Sequence, residues 1–307
     1  MSSNPPPVTP TTVHVLCATD DAYAMPLGAA LASATHELHP DARLAVTVLD
    51  GGLRAANRAK LRASMAPGRA TLTFVDVTAT PARRFAPKMH FNWVSLARLL
   101  APEVLTVDRA LWLDCDVIVC ADLLDLWRTD LAGAALGAVR ESTVGRRLPL
   151  AGELGLPPER PYFNAGVLVM DLAVMRREDF TRRAFALLES HPGRLPMWDQ
   201  DVLNLLAGHV PLDQAWNYIV LFCPPGLEAI GDARRRPHPH IVHYAAIPKP
   251  WHPEYSLTRP YADYFFRALE RTPWAGWRPP IDLRTLVRAN APGFYGMLRQ
   301  LKRRLGR

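Results

Sequence analysis

Short apolar runs rich in β-branched residues alternate with helical segments along the first part of the chain. The runs at residues 13–18, 44–49 and 71–75 predict buried strands, and the segments 26–36 and 55–64 predict the helices between them. Strands that alternate with helices at this spacing are typical of an open, mostly parallel sheet that is covered by helices. The sequence therefore predicts an α/β fold.

Two acidic pairs follow predicted strands. Asp20 and Asp21 come after the first strand, and Asp114 and Asp116 come after the strand at 110–113. Because ligands of open α/β sheets bind beyond the carboxyl ends of the strands, both pairs are candidate site residues. The remaining predicted elements are a helix at 95–100, a strand at 136–139, an apolar strand at 164–172 and an amphipathic helix at 174–188.

Neither of the common glycine-rich phosphate loops, GxGxxG or GxxxxGK followed by Ser or Thr, occurs in the sequence. A nucleotide bound at this sheet would therefore need other groups to neutralise its phosphates.

The positive charge of the chain is confined to its end. The formal net charge is +7, but residues 283–307 hold seven basic residues and no acid, so the rest of the chain is neutral. A neutral body argues against nucleic-acid binding, which usually needs a basic face on the folded domain. Neither a secretory signal nor an apolar run long enough to span a membrane is present, so we expect a cytoplasmic protein with its four cysteines reduced.

The terminal basic segment also carries an apolar stripe at helical spacing, and Trp274 and Trp277 lie just before it. This pattern is typical of a helix that attaches to anionic lipid, so one interpretation is a peripheral membrane contact through residues 283–307. A solvated terminal helix or a disordered tail is the alternative. The residues of the stripe are Phe294, Met297, Leu298, Leu301 and Leu305.

Asp114-Cys115-Asp116 is the strongest candidate for a metal site. In extended backbone, residues i and i+2 point to the same side, so both carboxylates can reach one ion. A D-x-D that only ends a strand and caps a turn is the alternative. Apolar residues flank this motif on both sides, and two neighbouring carboxylates in such surroundings are costly to bury unless a cation offsets them. Carboxylate oxygens suit Mg²⁺ or Mn²⁺.

His243 and Lys249 follow a further strand-like pair of residues. A histidine nitrogen would complete an oxygen-rich site and shift its preference towards Mn²⁺, and a lysine could neutralise a phosphate. Taken alone, they are better explained as a core histidine and a surface lysine, but beside the two carboxylates they supply the missing ligand and counter-charge. Asp199 and Gln200 could bind the hydroxyls of a sugar, although an Asp near a helix start is often a cap. Asn164, at the start of its apolar strand, is open to both interpretations.

Together these residues resemble the family 8 glycosyltransferases, the group that includes glycogenin and the bacterial lipopolysaccharide galactosyl- and glucosyltransferases. The resemblance covers residues 13–251. It is carried by six segments in the order and spacing of the family: 18–24 (ATDDAYA), 95–99 with Arg98, 111–117 (LWLDCDV), 162–167 (YFNAGV), 199–204 (DQDVLN) and 243–251 (HYAAIPKPW).

The resemblance implies a GT-A fold and the transfer of a hexose from UDP-glucose or UDP-galactose, with retention of configuration and with Mn²⁺, or Mg²⁺, as the metal. It implies a domain at residues 13–272 between a leader at 1–12 and a basic helical tail at 273–307. The implied acceptor is a saccharide or a lipid-linked glycan.

The resemblance also implies a role for individual residues. Asp114, Asp116 and His243 would bind the metal, and Lys249 the diphosphate. Ala18, Thr19, Asp20 and Tyr23 would contact the uridine, with Tyr23 stacked on the base. Arg98 and Asp114 would face the ribose and the sugar, Cys115 would lie among the donor-binding residues, and Asn164, Asp199 and Gln200 would line the reacting sugar. His90 and Glu141 fall where the family places acceptor contacts.

Two positions depart from the family pattern. Relatives often have Asn where this chain has Ala22 and usually have Gly where it has Ala246, which puts the affinity for the donor in question. A nucleotide-sugar-binding scaffold without turnover is therefore one alternative. A haloacid-dehalogenase-type phosphatase is another, because Asp114 to Val117 also fits D-x-D-x-[TV], although that motif normally follows the first strand of its class.

Overall fold

The computed structural model describes residues 10–85, 92–141, 152–157, 160–220, 238–245, 247–253 and 261–280. The leader at 1–9, His90, Ala246 and the segment 281–307 with the predicted lipid-binding stripe lie outside these residues. The strands of the described part are β1 (Thr11–Thr19), β2 (Ala42–Asp50), β3 (Ala70–Asp76), β4 (Arg109–Leu113), β5 (Val117–Val119), β6 (Leu136–Arg140), β7 (Phe163–Asp171), β8 (His209–Pro211), β9 (Tyr218–Ile219) and β10 (Ile241–His243).

Seven of these strands form one sheet in the order β3-β2-β1-β4-β7-β6-β8, and β5-β10-β9 form a second, smaller sheet. The pairs β1–β2, β2–β3, β1–β4 and β6–β8 are parallel, whereas β7 runs antiparallel to both β4 and β6. The predicted mostly parallel α/β sheet is confirmed. Because β7 is antiparallel, its first residues lie beside the carboxyl end of β4, where Leu113 pairs with Val167.

Helices cover both faces of the large sheet. The segment predicted as a helix at 95–100 is a 3₁₀ helix, Trp93–Leu100, that continues into a short α-helix. The α-helices of the described residues are α1 (Ala24–Glu37), α2 (Ala55–Ala63), α3 (Ala101–Val104), α4 (Leu123–Trp127), α5 (Leu172–Arg177), α6 (Phe180–Ser190), α7 (Asp199–Leu206) and α8 (Ala262–Leu269).

The single amphipathic helix predicted at 174–188 is wrong. The structure has two helices, α5 and α6, because Asp179 adopts a left-handed conformation with φ of 52° and turns the chain between them. Neither Gly nor Pro marks this turn, so the periodicity of the apolar residues gave no sign of the break.

The core lies on both sides of the large sheet. On one face, Leu27 and Leu31 of α1 pack with Val15 and Val46 of the sheet. On the other face, the 3₁₀ helix and α5 to α7 pack against side chains that include Trp112 of β4 and Phe163 of β7. Trp274, just before the segment 281–307, packs against Gly28 of α1, where a Cβ would lie 2.6 Å from its ring. Among the described helices, none is long and apolar enough to cross a membrane.

Candidate active site

The carboxyl ends of β1 and β4 open into a cavity of about 420 Å³. Every residue that the sequence assigned to the metal, the donor or the reacting sugar lines this cavity, together with Glu141. The strand ends bring Asp20, Asp114 and Asp116 to this cavity, whereas Asp21 lies outside its lining and contacts Arg54 and Asn57. The assigned residues are Ala18, Thr19, Asp20, Tyr23, Arg98, Asp114, Cys115, Asp116, Asn164, Asp199, Gln200, His243 and Lys249.

Asp114, Asp116 and His243 come together although more than 120 positions separate the histidine from the carboxylates. One ligand atom from each side chain lies within 4.8 Å of the other two. The Nε2 atom of His243 is 3.4 Å from Oδ1 of Asp116 and 4.0 Å from Oδ2 of Asp114. Two carboxylate oxygens and one imidazole nitrogen form a donor set that suits Mn²⁺, so the residues fit the divalent cation that the sequence implied.

The antiparallel pairing of β5 with β10 brings the histidine to the carboxylates, because His243 pairs with Val117, next to Asp116. A buried amide holds the other side of the imidazole: Oδ1 of Asn217 lies 2.7 Å from Nδ1 of His243. The Nδ2 atom of Asn217 donates in turn to Oδ1 of Asn164, at 2.8 Å. Asn217 is a residue that the sequence analysis missed.

Gly166 of β7 provides the space in which the imidazole lies. A Cβ at this position would be 2.2 Å from Cε1 and 2.7 Å from Nδ1 of His243, far inside van der Waals contact. The backbone of Gly166 is itself fixed, because its nitrogen donates to Oδ1 of Asn164 and its oxygen accepts from the nitrogen of Asp114. The glycine therefore lets the histidine approach the ends of β4 and β7.

Lys249 contacts the carboxylate of Asp116. Its Nζ atom donates to Oδ2 of Asp116 and, at 2.7 Å, to the carbonyl oxygen of Tyr244. Burial alone would raise the pKa of Asp116, but Lys249 and His243 outweigh it and hold this pKa below its ordinary value. The lysine thus places a positive charge beside the carboxylates at the mouth of the candidate metal site.

Arg98 is buried beneath the carboxylates and connects two of them. Its Nη2 donates to Oδ1 of Asp114 at 2.8 Å, its Nε lies 2.7 Å from Oδ2 of Asp199, and its Nη1 donates to the carbonyl oxygen of Ala165 at 2.6 Å. The side chain is only 6% exposed. The position of Arg98 at the cavity agrees with the sequence, but its hydrogen bonds are directed to protein groups.

Asp199 is a buried carboxyl group at the start of α7. It accepts from the hydroxyl of Ser95 at 3.2 Å and pairs with Arg98. Burial raises the pKa of Asp199 to about 6, although the Arg98 guanidinium favours the ionised form. An Asp at the start of a helix is often an N-terminal cap, but the side-chain oxygens of Asp199 contact Ser95 and Arg98.

The elevated pKa of Asp199 predicts a pH dependence of stability. Between about pH 4 and pH 6 the carboxyl ionises in the unfolded chain but stays protonated in the folded one, so the free energy of unfolding falls as the pH rises. A shift of roughly two pKa units corresponds to a decrease of about 3 kcal/mol. We expect the free energy of unfolding of the wild type to fall by this amount relative to that of Asp199→Asn, measured by urea unfolding across this pH range. Parallel pH profiles of the two proteins would contradict it.

Gln200 is held by hydrogen bonds at both ends of its amide. Its Oε1 accepts from the backbone nitrogen of Ala165 at 3.0 Å, and its Nε2 donates to Oε2 of Glu141 at 2.8 Å and to the hydroxyl of Tyr162 at 3.1 Å. Because a backbone nitrogen can only donate, the oxygen of Gln200 must be the atom beside Ala165. Glu141 thus contacts a predicted reacting-sugar residue, which the sequence did not indicate.

The opposite end of the cavity is formed by the turn after β1. Oδ1 of Asp20 accepts from the backbone nitrogens of Ala22 and Tyr23, and its Oδ2 accepts from Nδ2 of Asn92 at 2.6 Å. The ring of Tyr23 stands edge-on to Trp251, with 5.8 Å between the centroids. Asp20 is therefore also a cap of this turn, and Asn92 is a further polar residue that the sequence analysis missed.

Cys115 lies between the two aspartates and donates from Sγ to the carbonyl oxygen of Ala18 at 2.9 Å. Burial raises the pKa of the Cys115 thiol and that of the neighbouring Cys17 thiol. Both residues are free cysteines, as is Cys120, whereas Cys223 lies outside the described residues. The thiol of Cys115 therefore connects the turn that carries Asp114 and Asp116 to the end of β1.

The sequence profile of glycosyl transferase family 8 matches residues 14–254. The chain belongs to this family. Its match covers every residue of the candidate site described above. The family assignment made from the six sequence segments is thereby confirmed, and the chain is a glycosyltransferase.

Solved structures agree with the family assignment. The galactosyltransferase LgtC, in complex with donor and acceptor sugar analogs, superimposes with a TM-score of 0.71 at 27% identity, over 85% of this chain and 96% of LgtC. The expected GT-A fold is confirmed by this similarity.

Among the curated relatives, General stress protein A of Bacillus subtilis is 26% identical over 85% of this chain and 94% of its own length. The lipopolysaccharide 1,2-glucosyltransferase of Escherichia coli is 27% identical over 62% of this chain. The chain spans only 57% of that protein and 58% of the glycosyltransferase GlyF of Streptococcus pneumoniae.

Proposed function

We propose that this glycosyltransferase uses a divalent cation, Mn²⁺ in preference to Mg²⁺, to transfer glucose or galactose from a UDP-sugar with retention of configuration. The single observation that supports this most is the convergence of Asp114, Asp116 and His243 at the mouth of the cavity. The printed activities of LgtC and of the Escherichia coli relative, a galactosyl- and a glucosyltransferase, support the choice of hexose.

A bound divalent cation would supply charge stabilisation for the diphosphate leaving group. Lys249 is the protein cation positioned to assist. It contacts Asp116 and lines the cavity, so its ammonium group lies close to where the diphosphate of a donor would bind. At the other end of the cavity, the partly exposed ring of Tyr23 offers a face for the uracil base.

The reacting sugar would lie over Asn164, Asp199 and Gln200. The side-chain oxygen of Gln200 has a second lone pair besides the one that accepts from the nitrogen of Ala165. This lone pair could stabilise a positively charged sugar carbon. Asp199 and Arg98 together form a buried charge pair beneath that position. These residues would orient the sugar and steady its developing charge.

The proposed acceptor is a saccharide or a lipid-linked glycan. Residues 283–307 would bring the enzyme to the inner face of the cell membrane, and deletion of these residues should then reduce co-sedimentation with anionic vesicles. Equal binding by both proteins would remove the membrane contact from the proposal.

A donor screen tests the proposed activity. The protein is incubated with UDP-glucose, UDP-galactose and other UDP-sugars, and release of UDP is measured with Mn²⁺, with Mg²⁺ and after treatment with EDTA. We expect slow release from one hexose donor with Mn²⁺, loss of release with EDTA, and recovery when Mn²⁺ is added back. The absence of turnover with every donor and metal, accompanied by binding of a UDP-sugar, would favour the scaffold alternative that Ala22 and Ala246 suggested.

A phosphatase would behave differently in this screen, since it would hydrolyse a generic aryl phosphate and have no use for uridine. In that class the D-x-D motif follows the first strand, whereas here it follows β4. The position of the motif in the sheet therefore supports the glycosyltransferase.

A further inference from the structure

We propose that Asn217 is a positioning residue that fixes the tautomer of His243 and links the metal site to the residue beneath the reacting sugar. The inference rests on the proposed function for the role of the metal, but its hydrogen-bond logic depends on the protein alone. It concerns three buried side chains from different parts of the chain: Asn164, Asn217 and His243.

The direction of each hydrogen bond follows from one backbone group. The nitrogen of Gly166 can only donate, so the atom of Asn164 that lies 2.9 Å from it is the side-chain oxygen. That oxygen also lies 2.8 Å from the amide of Asn217, which must therefore present its NH₂ group. The remaining atom of the Asn217 amide, its oxygen, then faces the imidazole.

The orientation of Asn217 determines where the histidine carries its proton. An amide oxygen only accepts, and Nδ1 of His243 is 2.7 Å from it, so Nδ1 must bear the hydrogen. In the neutral ring the lone pair then lies on Nε2, which is the atom that faces Asp114 and Asp116. The chain of amides thus presents the histidine in the form that a metal ion requires.

Burial makes this arrangement specific. Asn164, Asn217 and His243 are 7%, 1% and 3% exposed. At such burial, reversing one amide would place two donors or two acceptors against each other, and no solvent water could satisfy the groups left without a partner. The backbone of β7 therefore fixes the orientation of all three side chains at once.

The hydrogen bonds of Asn164 also determine which of its side-chain groups can bind a ligand in the cavity. Its oxygen already accepts two hydrogen bonds, from Gly166 and Asn217, so the group that it can direct at a ligand is its NH₂. A hydroxyl of the donor sugar that accepts from this NH₂ would polarise the Asn164 amide and, through Asn217, the imidazole. The sugar position and the metal position are joined by one chain of hydrogen bonds.

The tautomer can be measured directly in the metal-free wild-type protein. Long-range ¹H–¹⁵N correlation spectra of protein labelled at histidine would be recorded at a series of rising pH values until the chemical shifts of the ring nitrogens are those of a neutral imidazole. The signals of His243 are assigned by their loss in His243→Gln. We expect the pattern of an Nδ1-protonated ring. A neutral ring that is protonated at Nε2 would overturn the proposal.

Binding of Mn²⁺ alone, followed by electron paramagnetic resonance, tests the consequence. Asn217→Leu, which has nearly the same volume but no hydrogen-bonding group, should weaken Mn²⁺ binding by about 10- to 100-fold. Asn217→Asp keeps an acceptor for Nδ1 but sets an oxygen against Oδ1 of Asn164 in place of the NH₂ donor, so its Mn²⁺ affinity should lie between those of wild type and Asn217→Leu. The matched control is Asn57→Leu, which removes an amide that bonds to Asp21 away from the site and should leave the affinity unchanged.

The outcomes separate this inference from the proposed function. Wild-type affinity for Mn²⁺ in Asn217→Leu, or an equal loss in Asn217→Asp and Asn217→Leu, would overturn the role of Asn217. Failure of the wild-type protein itself to bind Mn²⁺ would remove the metal from the proposed function, and the tautomer of His243 would still decide whether Asn217 positions the ring. Circular dichroism of each variant shows whether it is folded.

Discussion

Gly166→Ala is expected to reduce turnover of a UDP-sugar by roughly 1000-fold, which corresponds to about 4 kcal/mol of lost transition-state stabilisation. The new Cβ would lie 2.2 Å from Cε1 of His243. β7 is held against β4 and cannot shift away from the imidazole, because Val167 pairs with Leu113 and the oxygen of Gly166 accepts from the nitrogen of Asp114. The imidazole must therefore leave its place beside the carboxylates. The loss would be measured as UDP release and as Mn²⁺ affinity.

Gly137→Ala is the matched control for this variant. Gly137 lies inside β6, the strand next to β7, and a Cβ there would lie 3.0 and 3.2 Å from the ends of Leu131 and Leu212 and 3.4 Å, an ordinary contact distance, from Cβ of Val169. These flexible side chains can adjust, so we expect a stability cost of about 1 to 3 kcal/mol without loss of Mn²⁺ affinity. Wild-type Mn²⁺ affinity in Gly166→Ala would show that the histidine does not need its present position.

Arg98→Met is expected to lower the free energy of unfolding by about 3 to 5 kcal/mol at pH 7.5, measured by urea denaturation. The side chain connects Asp114 and Asp199 and also donates to the carbonyl oxygen of Ala165. Its removal leaves the carboxylate of Asp199, which is 3% exposed, without its cation. Removing one partner of a buried ion pair destabilises a protein more than replacing both partners with apolar residues does, because it leaves an uncompensated buried charge.

Two further variants decide whether the unpaired charge is the cause. Asp199→Asn combined with Arg98→Met should recover part of the lost stability, because the buried carboxylate is then absent. Arg267→Met removes an exposed arginine that pairs with Asp263 one turn away on α8, so its cost should stay within about 0.5 kcal/mol. A cost for Arg98→Met below about 1 kcal/mol would contradict the assignment of Arg98 as the support of both carboxylates.

The sequence predicted most strands of the large sheet and the acidic residues at their ends, because both depend on local patterns; the family resemblance supplied most of the other cavity residues. The buried strands needed continuous apolar runs, and the polar residues at their ends had to lie at one edge of a parallel sheet. Asp114 and Asp116 were recognisable for the same reason, since alternate residues of an extended chain share one side. His243 was a possible third ligand by its residue type, but no local pattern joins it to the carboxylates, and only the family resemblance assigned it to the same ion.

The features that the sequence did not reveal depend on contacts between distant segments. Asn217 acts through Asn164 and His243, which lie 53 and 26 positions away, and an isolated Asn in a loop carries no sign of such partners. The direction of β7 was equally hidden, because apolar periodicity is the same for parallel and antiparallel strands. The break at Asp179 required a left-handed residue where neither Gly nor Pro stands.

The contact between Lys249 and Asp116 has a consequence for how the protein matures. A lysine ammonium already balances the charge of this carboxylate, so the turn after β4 can be enclosed without waiting for an ion from solution. A newly made chain could thus reach its native shape before it meets a cation. If the site binds a cation and a diphosphate as proposed, the diphosphate would compete with Asp116 for the same ammonium group, and loading would exchange one counter-ion for another.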